Sequence, residues 1–105
     1  MGGRYGVERI TRMKEHEESL SKILAHFGKR KQMIKTIEEL SELAASLARD
    51  ILLHDGDITH ETVEEMADVK IMIAQLELII GDFLDYEAEA RIKRTLKRIE
   101  DGYYE

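Results

Sequence analysis

Apolar and polar residues recur along most of this chain at the three- to four-residue spacing that is typical of amphipathic helices. Strand-like alternation is missing over any useful length, and the chain contains no proline. Glycines at Gly28, Gly56 and Gly81 interrupt the helical pattern. The sequence therefore predicts an all-α protein with four helices. Their predicted bounds are residues 7–26, 30–53, 60–80 and 83–100.

The turn HDGD connects the second and third predicted helices through very few residues. Helices joined this closely pack side by side and run antiparallel. A chain of 105 residues supports one domain that buries roughly two-thirds of the surface of its unfolded form. We therefore expect a single domain, 1–105, built as a compact four-helix bundle with two long antiparallel central helices.

On the second predicted helix, apolar residues gather on one side and are expected to face the core. Taken alone, the opposite side, with Glu39 and Glu42, is typical of a solvated surface. The apolar set comprises Met33, Ile34, Ile37, Leu40, Ala44, Leu47, Ala48, Ile51 and Leu52.

The third predicted helix carries two opposed polar stripes in an otherwise apolar stretch, 66–80. At about 100° per residue, Asp68 and Gln75 lie opposite Lys70 and Glu77. A helix of this kind is buried on both flanks, so its acidic stripe is a candidate cleft. Its two apolar flanks exceed what three small neighbouring helices cover, and we therefore expect a homo-oligomer.

Two acidic pairs at i, i+3 spacing place Glu39 beside Glu42 and Glu65 beside Asp68, roughly 5 to 6 Å apart at Cβ. Isolated buried carboxylates are costly, so they need a partner. A salt bridge to a basic side chain, Lys35 or Arg49, is one solution; a shared cation is the other. Oxygen ligands without cysteine favour Mg²⁺ or Mn²⁺.

Composition narrows the classes of partner. The net charge is -6 and 36% of residues are charged, which argues against nucleic acid because phosphate binding needs a clustered basic surface. The N-terminal stretch MGGRYGVERI lacks the apolar segment of a signal peptide, and no apolar run reaches the length of a membrane span. We expect a cytoplasmic protein that has no membrane partner.

The order Glu39-x-x-Glu42 followed by Glu65-x-x-Asp68 resembles the signature of the MazG-like all-α nucleoside triphosphate pyrophosphohydrolases. The surrounding stretches FGKRKQMIKTIEELSEL and EEMADVKIMIAQL are similar to that family's sequences as well. The resemblance spans about residues 26–80 and is greatest to the short single-domain bacterial and phage members.

The resemblance implies Mg²⁺-dependent hydrolysis of a nucleoside or deoxynucleoside triphosphate to the monophosphate and pyrophosphate, in a homodimer or homotetramer. It implies that Glu38 orients or deprotonates the attacking water. The implied metal ligands are Glu39, Glu42, Glu65 and Asp68.

Cationic and polar contacts to the triphosphate are a separate question. The candidates are Gln32, Lys35, Lys93 and Arg94. The basic run near residue 93 equally fits an exposed helix face paired with its own acids. A non-catalytic helical interaction module, in which all the acids make salt bridges, remains the alternative function.

Overall fold

The computed structural model describes residues 14–105, and all regular secondary structure in that range is helical. The helices are α1 (Glu17–Phe27), α2 (Lys29–His54), α3 (His60–Ile80) and α4 (Phe83–Glu100). The all-α prediction is confirmed, and each bound predicted within this range lies within one residue of the observed bound. The predicted start of the first helix, at residue 7, lies outside the described residues.

The turn between α2 and α3 is formed by local backbone chemistry. Asp55 adopts the left-handed conformation at φ 52°, and Gly56 follows at φ 85°. The Gly56 N–H donates to the carbonyl of Asp50 at 2.9 Å, which satisfies a carbonyl at the end of α2. Thr59 then caps α3, because its side chain accepts a hydrogen bond from the Thr62 N–H. These contacts end α2 and begin α3 within five residues, 55–59.

A buried polar network fastens the two central helices beside this turn. The carboxylate of Asp50 accepts hydrogen bonds from the hydroxyls of Thr59 at 3.0 Å and Thr62 at 2.5 Å. The Thr62 hydroxyl also lies 2.6 Å from that of Ser46. Thr62 is fully buried, so its hydroxyl has no access to water. This network fixes how α2 and α3 are aligned along their length.

Replacing Thr62 by valine is expected to lower the free energy of unfolding by about 1 to 3 kcal/mol, because Asp50 and Ser46 each lose a buried hydrogen-bond partner. Urea denaturation measures the change. Thr95→Val is the matched control, since the exposed Thr95 hydroxyl bonds only to the Arg91 carbonyl of its own helix. Equal losses in the two variants would contradict the proposed contribution of the network.

The central helices meet through polar side chains, which reverses the expected orientation of α2. Its buried residues are all polar, whereas its large apolar residues, other than the half-buried Leu43, are exposed. The expectation that Glu39 lies on a solvated face is wrong, because it is only 6% exposed. The buried residues of α2 are Gln32, Thr36, Glu39, Ser46 and Asp50.

The buried apolar side chains within residues 14–105 are few: Leu20 on α1 and Met72 on α3. Half-buried residues of α3, including Val69 and Ile73, extend this small core along the helix. The third helix is better covered than the second, although Val63, Met66 and Ile71 on it are still exposed. The expected homo-oligomer stays a prediction. None of the helices in the described range is sufficiently long and apolar to cross a membrane.

Candidate metal centre

Five carboxylates from α2 and α3 converge in two overlapping groups that share Glu39. One oxygen from each of Glu39, Glu65 and Asp68 lies within 4.8 Å of the others. The same limit holds for Glu38, Glu39 and Glu42. Sequence spacing alone placed each pair on its own helix, and the packing of α2 against α3 brings the two pairs together.

Two carboxylate oxygens at the centre of this cluster are buried without a hydrogen-bond partner: Oε2 of Glu39 and Oε2 of Glu65. A buried acceptor without a donor is costly, and the cost is larger for a charged group. Each of these oxygens therefore needs a water molecule, a proton or a cation as its partner. The two orphaned atoms belong to different helices, so a single cation between the helices could satisfy both.

Lys35 supplies part of the compensating charge. Its Nζ lies 3.1 Å from Oε1 of Glu39 and 3.5 Å from Oε1 of Glu38. The hydrogen bond to Glu39 and the charge of Glu38 raise the pKa of Lys35, so the ammonium stays protonated at neutral pH. Within residues 14–105, only Lys35 forms an ion pair with the five carboxylates of the cluster, which leaves an excess of negative charge there.

This excess negative charge affects the pKa of Glu42. The Glu39 carboxylate, followed by partial desolvation and the Glu65 carboxylate, raises the pKa of Glu42 above its ordinary 4.5. A carboxyl whose pKa is raised on folding opposes folding once it is ionised. This contribution is relieved as the pH falls through the folded-state pKa towards 4.5. The metal-free protein therefore gains stability from this group on mild acidification.

This charge repulsion predicts how stability responds to pH and to Mg²⁺. In the presence of EDTA, the destabilisation caused by ionised Glu42 should be relieved, and the melting temperature should rise, as the pH is lowered from 7.5 towards 4.5. The rise should be smaller in Glu65→Gln, which removes one repelling carboxylate but no ion pair within residues 14–105. Mg²⁺ should raise the melting temperature of the wild type more at pH 7.5 than near pH 4.5, since a proton on Glu42 competes with the cation for its carboxylate.

Differential scanning fluorimetry measures both responses. The two proteins differ only at residue 65, so the difference between their responses isolates the cluster. If wild type and Glu65→Gln respond identically to pH and to Mg²⁺, the cluster is neither strained nor a cation site.

Gln32, a predicted nucleotide contact, is 5% exposed, and its side chain already has a partner. Its Nε2 donates to Oε1 of Gln75 at 2.8 Å across the interface between α2 and α3. Contact with a nucleotide would require this buried pair to separate. Gln75 is the residue for which sequence reasoning assigned no role, although it shares the stripe of Asp68 and is 1% exposed.

The basic residues of α4 are engaged with acids of their own helix. Lys93 lies 3.2 Å from Glu89, and Arg91 lies 3.3 Å from Glu87. No ion pair or hydrogen bond within residues 14–105 joins Lys93 or Arg94 to the cluster. Their proposed contact with a triphosphate stays a prediction.

Arg49, the other cation considered for the acids, pairs with Glu61 at 3.0 Å. Sequence reasoning missed the network of Asp50, Thr59, Thr62 and Ser46, which holds the helices that carry the cluster. The sequence signal for this network is a pair of short polar residues on each side of the glycine turn, spaced four residues apart before it and three apart after it. Such residues are also common as helix caps, as Thr59 is here, so their presence alone does not indicate a network between helices.

Comparisons of the chain with models of known protein families, with curated proteins and with solved structures find no match. The carboxylate cluster itself is therefore the feature that indicates a function. The residues fit a divalent cation: several carboxylates, two orphaned buried oxygens and no thiolate. This donor set suits a hard cation such as Mg²⁺ or Mn²⁺.

Proposed function

We propose that this protein is a Mg²⁺-dependent hydrolase that converts a nucleoside or deoxynucleoside triphosphate to the monophosphate and pyrophosphate. The observation that carries the proposal is the pair of orphaned buried oxygens, Oε2 of Glu39 and Oε2 of Glu65, within a convergent carboxylate cluster. The residues that would hold the cation are Glu39, Glu42, Glu65 and Asp68. Mn²⁺ is the alternative ion.

We also propose that α2 and α3 pack antiparallel. The hydrogen-bonded pairs are Asp50 with Thr59, Ser46 with Thr62, and Gln32 with Gln75. Along this series the residue number on α3 increases while the residue number on α2 decreases, which supports an antiparallel pair of helices. In that arrangement the two acidic pairs lie at the same level along the helix axes. The Ser46–Thr62 hydrogen bond lies on one side of them and the Gln32–Gln75 hydrogen bond on the other.

When bound, Mg²⁺ neutralises phosphate charge and acidifies nearby water. Glu38, on the exposed rim of the cluster, would accept the proton of the attacking water. Water then adds to the α-phosphorus, and the bond to the oxygen bridging the α- and β-phosphates breaks. The products are the nucleoside monophosphate and pyrophosphate.

Lys35 is suited to a second task at this site. Its ammonium is half-exposed, stays protonated at neutral pH and lies at the edge of the cluster, near Glu38 and Glu39. A triphosphate entering there offers oxygen acceptors beside the carboxylates that already hold the lysine. Lys35 would then bind a phosphate and stabilise the charge that develops on the leaving pyrophosphate.

The Lys35–Glu39 ion pair also favours the alternative function, a non-catalytic helical interaction module. In that case the lysine is the permanent partner of the buried acid, and no cation binds. The two readings differ in what they require of the orphaned oxygen atoms. A metal site is stabilised by Mg²⁺, whereas a structural ion pair is indifferent to it.

The deciding experiment measures pyrophosphate release from each of the eight common nucleoside and deoxynucleoside triphosphates, with and without Mg²⁺. Metal-dependent release from one or a few of them would support the proposed reaction and identify the substrate class. Absence of release across the panel, together with no thermal shift on adding Mg²⁺, would favour the interaction module.

A further inference from the structure

The outward face of α2 carries a row of apolar side chains, which we term the α2 stripe. Its large members range from 39% exposed for Leu47 to 68% exposed for Ile51. Successive members are separated by four, three, four, three and four residues, which is the spacing of a coiled-coil seam. The α2 stripe consists of Met33, Ile37, Leu40, Ala44, Leu47 and Ile51.

One end of the α2 stripe already has the form of a coiled-coil hole. A groove of about 420 Å³ is lined there by Arg30, Met33, Ile34 and Ile37, together with Lys29. The first four lie at positions i, i+3, i+4 and i+7, the set of four residues that receives one side chain of a facing helix. A side chain from another helix would fill this groove.

The ends of α2 carry charges that oppose its own helix dipole. The first turn contains Lys29, Arg30 and Lys31 and no acid. Beyond the last turn lie Asp55 and Asp57, both exposed. Cations at a helix N-terminus and anions at its C-terminus are unfavourable for that helix. A second α2 in antiparallel orientation would place the acidic end of one beside the basic end of the other.

We propose that the α2 stripe is the interface with a second copy of this chain, in which the two α2 helices pack antiparallel about a two-fold axis. With the axis near residue 42, Met33 faces Ile51 of the second copy and Ile37 faces its Leu47. Leu40 faces Ala44 in the central layer. The same register sets Lys29 opposite Asp55, and each stripe residue contacts another stripe residue.

This interface is independent of the proposed chemistry. The α2 stripe shares no residue with the carboxylate cluster, and it lies on the exposed side of α2, whereas Glu39 is buried. The second copy is therefore expected whether or not the protein hydrolyses nucleotides. Its test uses assembly and crosslinking, so failure of one proposal does not decide the other.

The first test is sedimentation equilibrium of the full chain at micromolar concentration. The wild type should be dimeric, and Ile37→Asp should raise the dimer dissociation constant by about 100-fold or more, because it places a charge in the seam. Ile92→Asp is the matched control, since Ile92 is 60% exposed on α4, outside the stripe. A monomeric wild type, or an Ile37→Asp protein as dimeric as the wild type, overturns the proposal.

The second test does not depend on how Ile37→Asp folds. The chain contains no cysteine, so a single introduced thiol is unique. Ser41 is exposed beside the proposed axis, and its hydroxyl bonds only within its own helix, to the Ile37 carbonyl at 2.9 Å. In Ser41→Cys, a short bismaleimide should link two chains rapidly at low protein concentration. Ser21→Cys, on the exposed face of α1, should not be linked.

Equal linkage of the two cysteine variants overturns the proposed interface. Linkage confined to Ser41→Cys supports both the surface and the antiparallel register, because only a two-fold axis near this residue brings its two copies close together.

Discussion

Asp68→Asn is expected to lower the rate of pyrophosphate release on the order of 10³-fold while the helical content is unchanged. Asp68 contributes an oxygen to the group within 4.8 Å that includes Glu39 and Glu65. Asparagine keeps the shape of the side chain but removes its charge, so the cation site loses one anionic ligand. Steady-state kinetics with saturating Mg²⁺ and circular dichroism measure the two quantities.

The matched control for this substitution is Asp82→Asn. Asp82 is exposed, makes no side-chain cap to α4 and lies outside the cluster. It should keep its activity within about twofold of the wild type, since a surface carboxylate far from the chemistry contributes little. Full activity in Asp68→Asn would remove Asp68 from the proposed ligand set.

Glu38→Gln is expected to lower kcat by about 10²-fold, with a smaller change in the concentration of Mg²⁺ needed for half-maximal activity. Glutamine retains an oxygen acceptor for water but cannot take up its proton. Glu38 lies on the rim, about half exposed, whereas the orphaned oxygens belong to Glu39 and Glu65. Loss of a general base lowers mainly kcat, whereas loss of a metal ligand raises mainly the Mg²⁺ concentration needed for activity. Comparing the two effects therefore identifies the role of Glu38.

For this prediction the control is Glu64→Gln. Glu64 is exposed and pairs with His60 at 3.0 Å, and it belongs to neither carboxylate group. A large increase in the Mg²⁺ requirement of Glu38→Gln, with kcat restored at high Mg²⁺, would make Glu38 a metal ligand instead of a base. An unchanged kcat would show that another group accepts the proton.

The buried polar interface and the cation site have related physical requirements. Apolar packing between α2 and α3 would leave no room for convergent carboxylates, because buried charge needs polar partners. The hydrogen-bonded groups at either end, Thr62 with Ser46 and Gln32 with Gln75, join the two helices across this interface. The apolar residues of α2 are consequently left on its outer side, where the proposed second copy covers them.

The positions of the helices were determined by the sequence itself. Three local features set these positions: the spacing of apolar residues, the glycine breaks and the capping threonine. Each acts between residues a few positions apart, so it does not depend on how the helices pack. The i, i+3 spacing likewise placed Glu39 with Glu42 and Glu65 with Asp68, since neighbours on a helix surface are fixed by helix geometry. These features needed no knowledge of the neighbouring helices.

Only the tertiary structure decided which face of α2 points inward. Hydrophobic patterning predicted the apolar face, on the assumption that one chain buries its own apolar surface. Instead, Asp50 and Thr62 form a hydrogen-bonded network that turns the polar face towards α3 and buries Glu39. Such a network depends on distances between residues far apart in sequence. The pattern along a single helix cannot specify those distances, because they arise only when two helices pack.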